Sequence, residues 1–216
     1  MSTSAEFRQR ARNTLGNRLF SNEFLYAILA YFIVSALVGV SIYTVVGFFI
    51  VSGPLMVGLA YYYLSMVRNN GQVLPIGEVF VGFQRGMSNS LVAFLLKSLY
   101  TYLWSLLLVV PGIVKAYSYA MTDYILADHP EYTATQAINE SRRMMDGNKM
   151  RLFMLDLSFV GWFLLGACTF GIGLIWVIPY AMTARTHFYE EINGRIDIMD
   201  ILSDIGYDVQ NESKSL

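Results

Sequence analysis

The chain has 216 residues, 55% of them hydrophobic and only 14% charged, with a mean hydropathy of +0.46. A net charge of −1 leaves no global basic field, which argues against a nucleic-acid partner. The single cysteine, Cys168, excludes an internal disulfide, and two histidines, His129 and His187, are too few for a zinc centre built on His and Cys.

Charge-free runs alternate with short charged segments, the pattern of a polytopic membrane protein. Residues 2–17 read as a short amphipathic helix: Thr3 and Glu6 have capping-box spacing, and Phe7, Ala11 and Leu15 share a face. Arg8, Arg10, Arg12 and Arg18 resemble a signal-peptide n-region, but no small-residue cleavage site follows the first apolar run, so an uncleaved span is expected. A first membrane hairpin covers about 25–67, turning near Tyr43, with Gly53 and Pro54 placed to kink its return helix. Pro75 opens a second amphipathic helix carrying Ile76, Val79, Phe80 and Phe83. The second hairpin covers about 89–127 and turns at Pro111 and Gly112. Thr133 and Gln136 then cap a third amphipathic helix with Ala134, Ala137, Ile138, Ser141 and Met145 on one face and Gly147 as its C-cap.

The third hairpin covers about 152–189. Its two apolar runs of about 18 residues, or roughly 27 Å of helix each, flank a turn at Phe170 and Gly171. Pro179 interrupts its return run. The acidic tail, 193–216, holds Asp197, Asp200, Asp204, Asp208 and Glu212, and places Ile198, Ile201, Leu202 and Ile205 on one helical face. The fold expected is therefore all-α: six transmembrane helices as three hairpins, each preceded by a short amphipathic interfacial helix, in a membrane domain over 1–192. Gly16, Gly86 and Gly147 each close an amphipathic helix, and Tyr-Ala-Met-Thr occurs at both 119–122 and 180–183, as in three degenerate repeats of one unit. The shared identities are short, and any three membrane hairpins would look partly alike.

Lysine and arginine fall in the N-terminal segment, both long connectors and the C-terminal end, while the three opposite turns carry none. The positive-inside rule places both termini in the cytoplasm and Trp104, Trp162 and Trp176 toward the outer leaflet.

Lys97, Asp123, Asp156 and Arg185 lie within the apolar runs and form a candidate intramembrane polar layer. Intramembrane charges are costly and face a bundle interior or a wet cavity. They make either a latch of interhelical ion pairs or a cytoplasm-facing vestibule for an ion or polar substrate. Asp123 with Asp156 is the only buried carboxylate pair on offer for acid–base work, and pairing of each with Lys97 or Arg185 competes with it. His187, Glu190 and Glu191 read as a solvated helix end rather than a metal cluster, and no serine or cysteine sits with a histidine as a nucleophile. Gly53, Pro54, Pro111, Gly112 and Pro179 are candidate hinges.

Three stretches, PGIVKAYSYAMTDYILADHP at 111–130, SRRMMDGNKMRLFMLDLSFVGWFLLG at 141–166 and GIGLIWVIPYAMTARTHFYEE at 171–191, resemble one family. It is the bacterial integral-membrane family catalogued as domain of unknown function 975, common in Gram-positive bacteria. The resemblance runs from about residue 4 to 191 and implies a multi-pass plasma-membrane protein with no reaction and no site residues to carry over. A looser likeness is to membrane domains attached to glycerophosphodiester phosphodiesterases, whose soluble catalytic domain has no counterpart here.

Two functions follow as expectations. One is a non-enzymatic, multi-pass plasma-membrane protein that needs no cofactor and acts through membrane lipids or a protein partner bound by the acidic tail. The other is a small transporter or permease component with a cytoplasm-facing polar vestibule, suggested by the helix breakers and buried charges.

Overall fold

The computed structural model describes residues 3–14, 22–41, 45–69, 75–107, 109–169 and 171–204. Among them the chain is all-helical, with no strand. Helix α1, Ser4–Thr14, starts on the expected capping box: the Thr3 backbone N–H donates to Glu6 Oε2 at 3.2 Å, and the Glu6 N–H to Thr3 Oγ1 at 3.4 Å. Its apolar face, Phe7 and Ala11, is buried, while Leu15 lies outside the described residues.

Helices α2, Asn22–Ser41, and α3, Val45–Arg68, pack as a pair. Ala27, Ala30 and Val34 meet Leu55, Leu59, Tyr62 and Tyr63, and the Tyr63 hydroxyl donates to the Ala27 carbonyl at 3.2 Å. Pro54 sits inside α3, which runs through it. The turn near Tyr43 is outside the described residues.

After Pro75 the chain forms a 3-10 turn, Ile76–Phe80, and a short α4, Val81–Gln84, both packed on α3. Glycine makes this approach possible. A Cβ on Gly58 would overlap the Val79 carbonyl, and one on Gly82 would overlap the Pro54 carbonyl. Gly86, at φ +75°, ends the segment, and the chain enters α5, Met87–Leu107, at 86° to it.

The second pair departs from expectation. Pro111 and Gly112 do not make the turn. They occupy the first turn of α6, Val109–Ser118, where a missing proline N–H costs no helical hydrogen bond. The return helix is not continuous either: it breaks at Tyr119–Met121 before α7, Thr122–Asp128. Helix α8, Ala134–Met144, has its full Thr133–Gln136 capping box and buries Ala134, Ala137, Ile138 and Ser141, with Met145 just beyond its end. Ser141 fills the break: its Oγ donates to the Ser118 carbonyl at 2.9 Å and accepts from the Met121 N–H at 3.2 Å. Gly147, at φ +71°, leads into α9, Lys149–Cys168.

Helix α10 runs from Leu174 to Asp204, through Pro179 and through the boundary expected at 193. The isoleucine face of the tail lies outside the described side chains, and 205–216 outside the described residues.

By length and apolar composition two of the described helices can cross a membrane, Ile50–Arg68 and Lys149–Cys168. The bent pair Ile76–Gln84 with Met87–Leu106 makes a third if counted as one span. The count falls short of the six expected for physical reasons: α6 and α7 are interrupted, α10 carries Arg185, Glu190 and Glu191, and α2 has only the shorter apolar stretch Leu25–Gly39.

Candidate functional site

The ion-paired side chains between the helices form two tiers, their acids better covered than most of their arginines. In the outer tier, Arg68 at the end of α3 makes a bidentate pair with Asp128 of α7, Nη1 to Oδ1 at 2.6 Å and Nη2 to Oδ2 at 2.7 Å. The same guanidinium reaches Glu190 of α10, Nε to Oε1 at 2.9 Å, and the Tyr189 hydroxyl donates to Asp128 Oδ2 at 2.9 Å. Beside it, Arg151 of α9 donates to Glu191 Oε1 at 2.8 Å, and Arg10 of α1 lies 3.8 Å from the other oxygen of Glu191. Glu191 is 12% exposed at its side chain and held in an interhelical ion pair rather than at the solvated helix end expected, whereas Glu190, at 30%, is partly open to solvent. His187 turns to α1, with Nε2 2.8 Å from Thr14 Oγ1. Among the described residues no three His, Cys, Asp or Glu side chains are placed to hold a metal.

The inner tier holds the four residues singled out from the sequence. Asp123 precedes Asp128 by five residues, Asp156 follows Arg151 by five, and Arg185 precedes Glu190 by five. On each of α7, α9 and α10 the step between tiers is therefore about 7.5 Å of helix. The structure divides the four into two separate pairs. Lys97 Nζ donates to both oxygens of Asp123, at 2.6 and 2.5 Å. Arg185 donates to Asp156 from Nε at 2.9 Å and Nη2 at 2.7 Å, and the Tyr117 hydroxyl completes that carboxylate at 2.9 Å. Each carboxylate has its own cation, so the two acids do not form a shared acid–base site. Tyr124 packs in the core and stacks on Tyr189 with ring centroids 5.3 Å apart, which links α7 to α10.

The five candidate hinge residues all lie within helices. A Cβ on Gly53 would come 2.7 Å from the Ser90 carbonyl, making Gly53 a close contact between α3 and α5. Gly112 packs on Ser105 across α5 and α6, and Pro179 accepts at its carbonyl from Thr183 Oγ1 at 2.9 Å within unbroken helix. The breaks occur instead at Arg85 and Gly86 and at Tyr119–Met121.

Arg68, Asp128, Arg151 and Tyr117 were missed as partners. The signal available was position: Arg68 and Asp128 end apolar runs, and Arg151 begins one. No local pattern identifies which end meets which.

Both tiers fall largely within one stretch that known proteins share. Residues 106–196 match the family described as protein of unknown function (DUF975). It is the family that the sequence resembles, and the matched region contains α6 to α9 and most of α10. Asp123, Asp128, Arg151, Asp156, Arg185, Glu190 and Glu191 lie within it, whereas Lys97, Arg68 and Arg10 lie before it. The DUF975 region thus supplies both partners of the Asp156–Arg185 pair but only one partner each of the Lys97–Asp123 and Arg68–Asp128 pairs. No curated protein and no solved structure matches the chain.

Proposed function

We propose that this is a multi-pass protein of the bacterial plasma membrane, with six spans arranged as three hairpins and both termini cytoplasmic, acting without catalysis through membrane lipids or protein partners. One observation carries the membrane reading. Helix α9, Lys149–Cys168, is apolar enough to span a bilayer, yet only 22% of it is buried in the bundle. Leu157, Val160, Trp162, Leu164 and Leu165 stand exposed along it. Such a surface is far too apolar for water and is the natural lipid contact of a bundle helix. The ion-paired tiers support an assembling rather than a catalytic role, since each acid is held by a fixed cation.

A small transporter is the second reading, favoured by the break at Tyr119–Met121. Non-helical backbone at membrane depth is tolerated where it is buried or lines a polar cavity, and broken helices are where transporters hold substrate.

Cysteine accessibility tests the topology. Cys168 lies exposed at the end of α9 opposite Lys149. A membrane-impermeant maleimide should label it from outside intact cells. Ser213→Cys in a Cys168→Ser background should be labelled only after the membrane is opened. External labelling of position 213 would overturn the proposed orientation.

A further inference from the structure

A cleft of about 500 Å³ opens between α5 and the broken α6–α7 return, lined by Lys97, Ser98, Thr101, Tyr102, Ser105 and Tyr119. This volume is within the range of ligand pockets, in a groove that stays open along the surface of the bundle. Ala116 and Ala120 form its far wall, and their small side chains leave the space open. The cleft follows α5 from Lys97 to Ser105, about 12 Å of helix rise. Around it Leu95, Leu99, Leu103, Leu106 and Ile113 are exposed, so the hydroxyls and the Lys97 ammonium of the cleft stand within a largely apolar surface.

Its chemistry is specific. Serine and threonine in this bundle typically return their hydroxyl to a carbonyl one turn back: Ser52 to Phe48, Ser90 to Gly86, Ser118 to Val114 and Thr186 to Met182. Ser105 does the same to Thr101, at 2.8 Å. Among the described residues, the Ser98 and Thr101 hydroxyls take no such partner and line the cleft. The cation in the lining is already neutralised, because both Asp123 oxygens hold Lys97 Nζ. An anion entering here would meet a net charge of zero. An aliphatic chain would offer the hydroxyls no partner. Hydroxyls that donate and accept, and tyrosine rings that offer a flat apolar face, match a sugar ring or polyol. The Tyr119 ring is itself positioned by Tyr100, with centroids 6.1 Å apart.

We infer that the α5–α6 cleft binds a neutral polyhydroxylated group, a sugar or polyol that is either free in solution or the headgroup of a membrane glycolipid. The inference rests on the membrane reading for the glycolipid source only. It deepens that reading by naming the class of lipid.

The test uses the full chain, purified in lauryldimethylamine oxide so that no sugar detergent competes. It is reconstituted in phosphatidylcholine nanodiscs containing monoglucosyl diacylglycerol or, as the competitor, phosphatidylglycerol. Native mass spectrometry counts bound lipid. Radiolabelled glucose in equilibrium dialysis, run in detergent, tests the soluble source. The glucosyl lipid should be retained over phosphatidylglycerol by about tenfold, the worth of one good hydrogen bond. Thr101→Leu, which fills the cleft with apolar bulk, should abolish that preference. Thr101→Ser, which keeps the hydroxyl, should retain it. Val160→Ala, on the lipid-facing side of α9, should leave it unchanged and controls for general loosening. Glucose binding with no glucosyl-lipid preference assigns the site to a soluble sugar. Equal retention of both lipids without glucose binding, a preference that survives Thr101→Leu in a protein of unchanged melting temperature, or no binding of any probe would each overturn the inference. Failure to enter nanodiscs would refute the membrane reading instead, and dialysis in detergent would still decide the site.

Discussion

The inner-tier pair Asp156–Arg185 gives the sharpest test of how the bundle is held. Asp156→Ala removes a carboxylate that accepts two hydrogen bonds from Arg185 and one from Tyr117. Breaking a fully buried pair costs ~3–5 kcal/mol, because the remaining charge is stranded. A fully exposed pair contributes only ~0–1 kcal/mol. Asp156 is 21% exposed and Arg185 42%, so screening must be discounted and the expected loss lies between these limits, ~2 kcal/mol. For a chain of this size that is a melting-temperature drop of about 4–8 °C. Lys97 and Asp123 are both better covered, at 20% and 18%, so Asp123→Ala should cost more, ~3 kcal/mol. Thermal unfolding of the detergent-solubilised protein measures both. Double-mutant cycles then separate the pairings: Asp156 with Arg185 should couple by ~1–2 kcal/mol, and Asp156 with Lys97 by less than ~0.5 kcal/mol, since they share no partner. A larger coupling for Asp156 with Lys97, or single variants that melt with the wild type, would refute the two-pair arrangement.

Gly58→Ala and Gly82→Ala should each destabilise by ~1–3 kcal/mol, since the added methyl overlaps the Val79 or Pro54 carbonyl. Faster amide exchange over 76–84 would register it, and wild-type protection would contradict the close contact. Ser141→Ala strands the Ser118 carbonyl and the Met121 N–H in a buried site, at ~1–3 kcal/mol, read as a lower melting temperature; a neutral substitution would show that Ser141 does not bridge the break. Phe7→Ala should cost ~3–5 kcal/mol of α1 docking, because Phe7 is 2% exposed and meets Phe188 edge-on at 5.4 Å. Trypsin would then cut at Arg8, Arg10 and Arg12 in folded protein, and unchanged resistance would argue against the docking.

Helix starts and faces were legible because their signals are local. Both predicted capping boxes form, at Thr3–Glu6 and Thr133–Gln136, and the stripe from Ala134 to Met145 is buried as its spacing requires. Charge neutrality also limited the pairings of Lys97, Asp123, Asp156 and Arg185, though not which cation each acid takes. The break at Tyr119–Met121 was not legible. It contains no glycine or proline, and what satisfies it is a serine 20 residues on from Met121. Conversely, Pro179 and Gly194 are intrinsic helix breakers that α10 carries without interruption. Periodicity says that a face is covered but not by what. Helices α1, α4 and α8 cover theirs against neighbouring helices.

Those contacts follow one order. The 3-10 turn packs on α2 and α3 and α4 packs on α3, the pair just completed, and α8 packs on α5 and α7, again the pair just completed. Connectors of seven residues, 69–75, and five, 129–133, join each covering helix to the pair it covers. By the same rule the last pair, α9 and α10, would be covered by a helix after α10, but α10 itself continues to Asp204. Helix α1 takes that place from the opposite end of the chain: the Tyr180 hydroxyl donates to the Arg8 carbonyl at 2.8 Å, and Thr14 meets His187. The packing unit is therefore a helix pair followed by its covering helix, one step out of phase with the helix-then-pair unit that the sequence suggests. This phase explains the outer tier. Arg68, Asp128 and Glu190 come one from each pair, so the cluster exists only when all three pairs have met. Arg10 joins Glu191 beside it only once α1 has docked on the last pair.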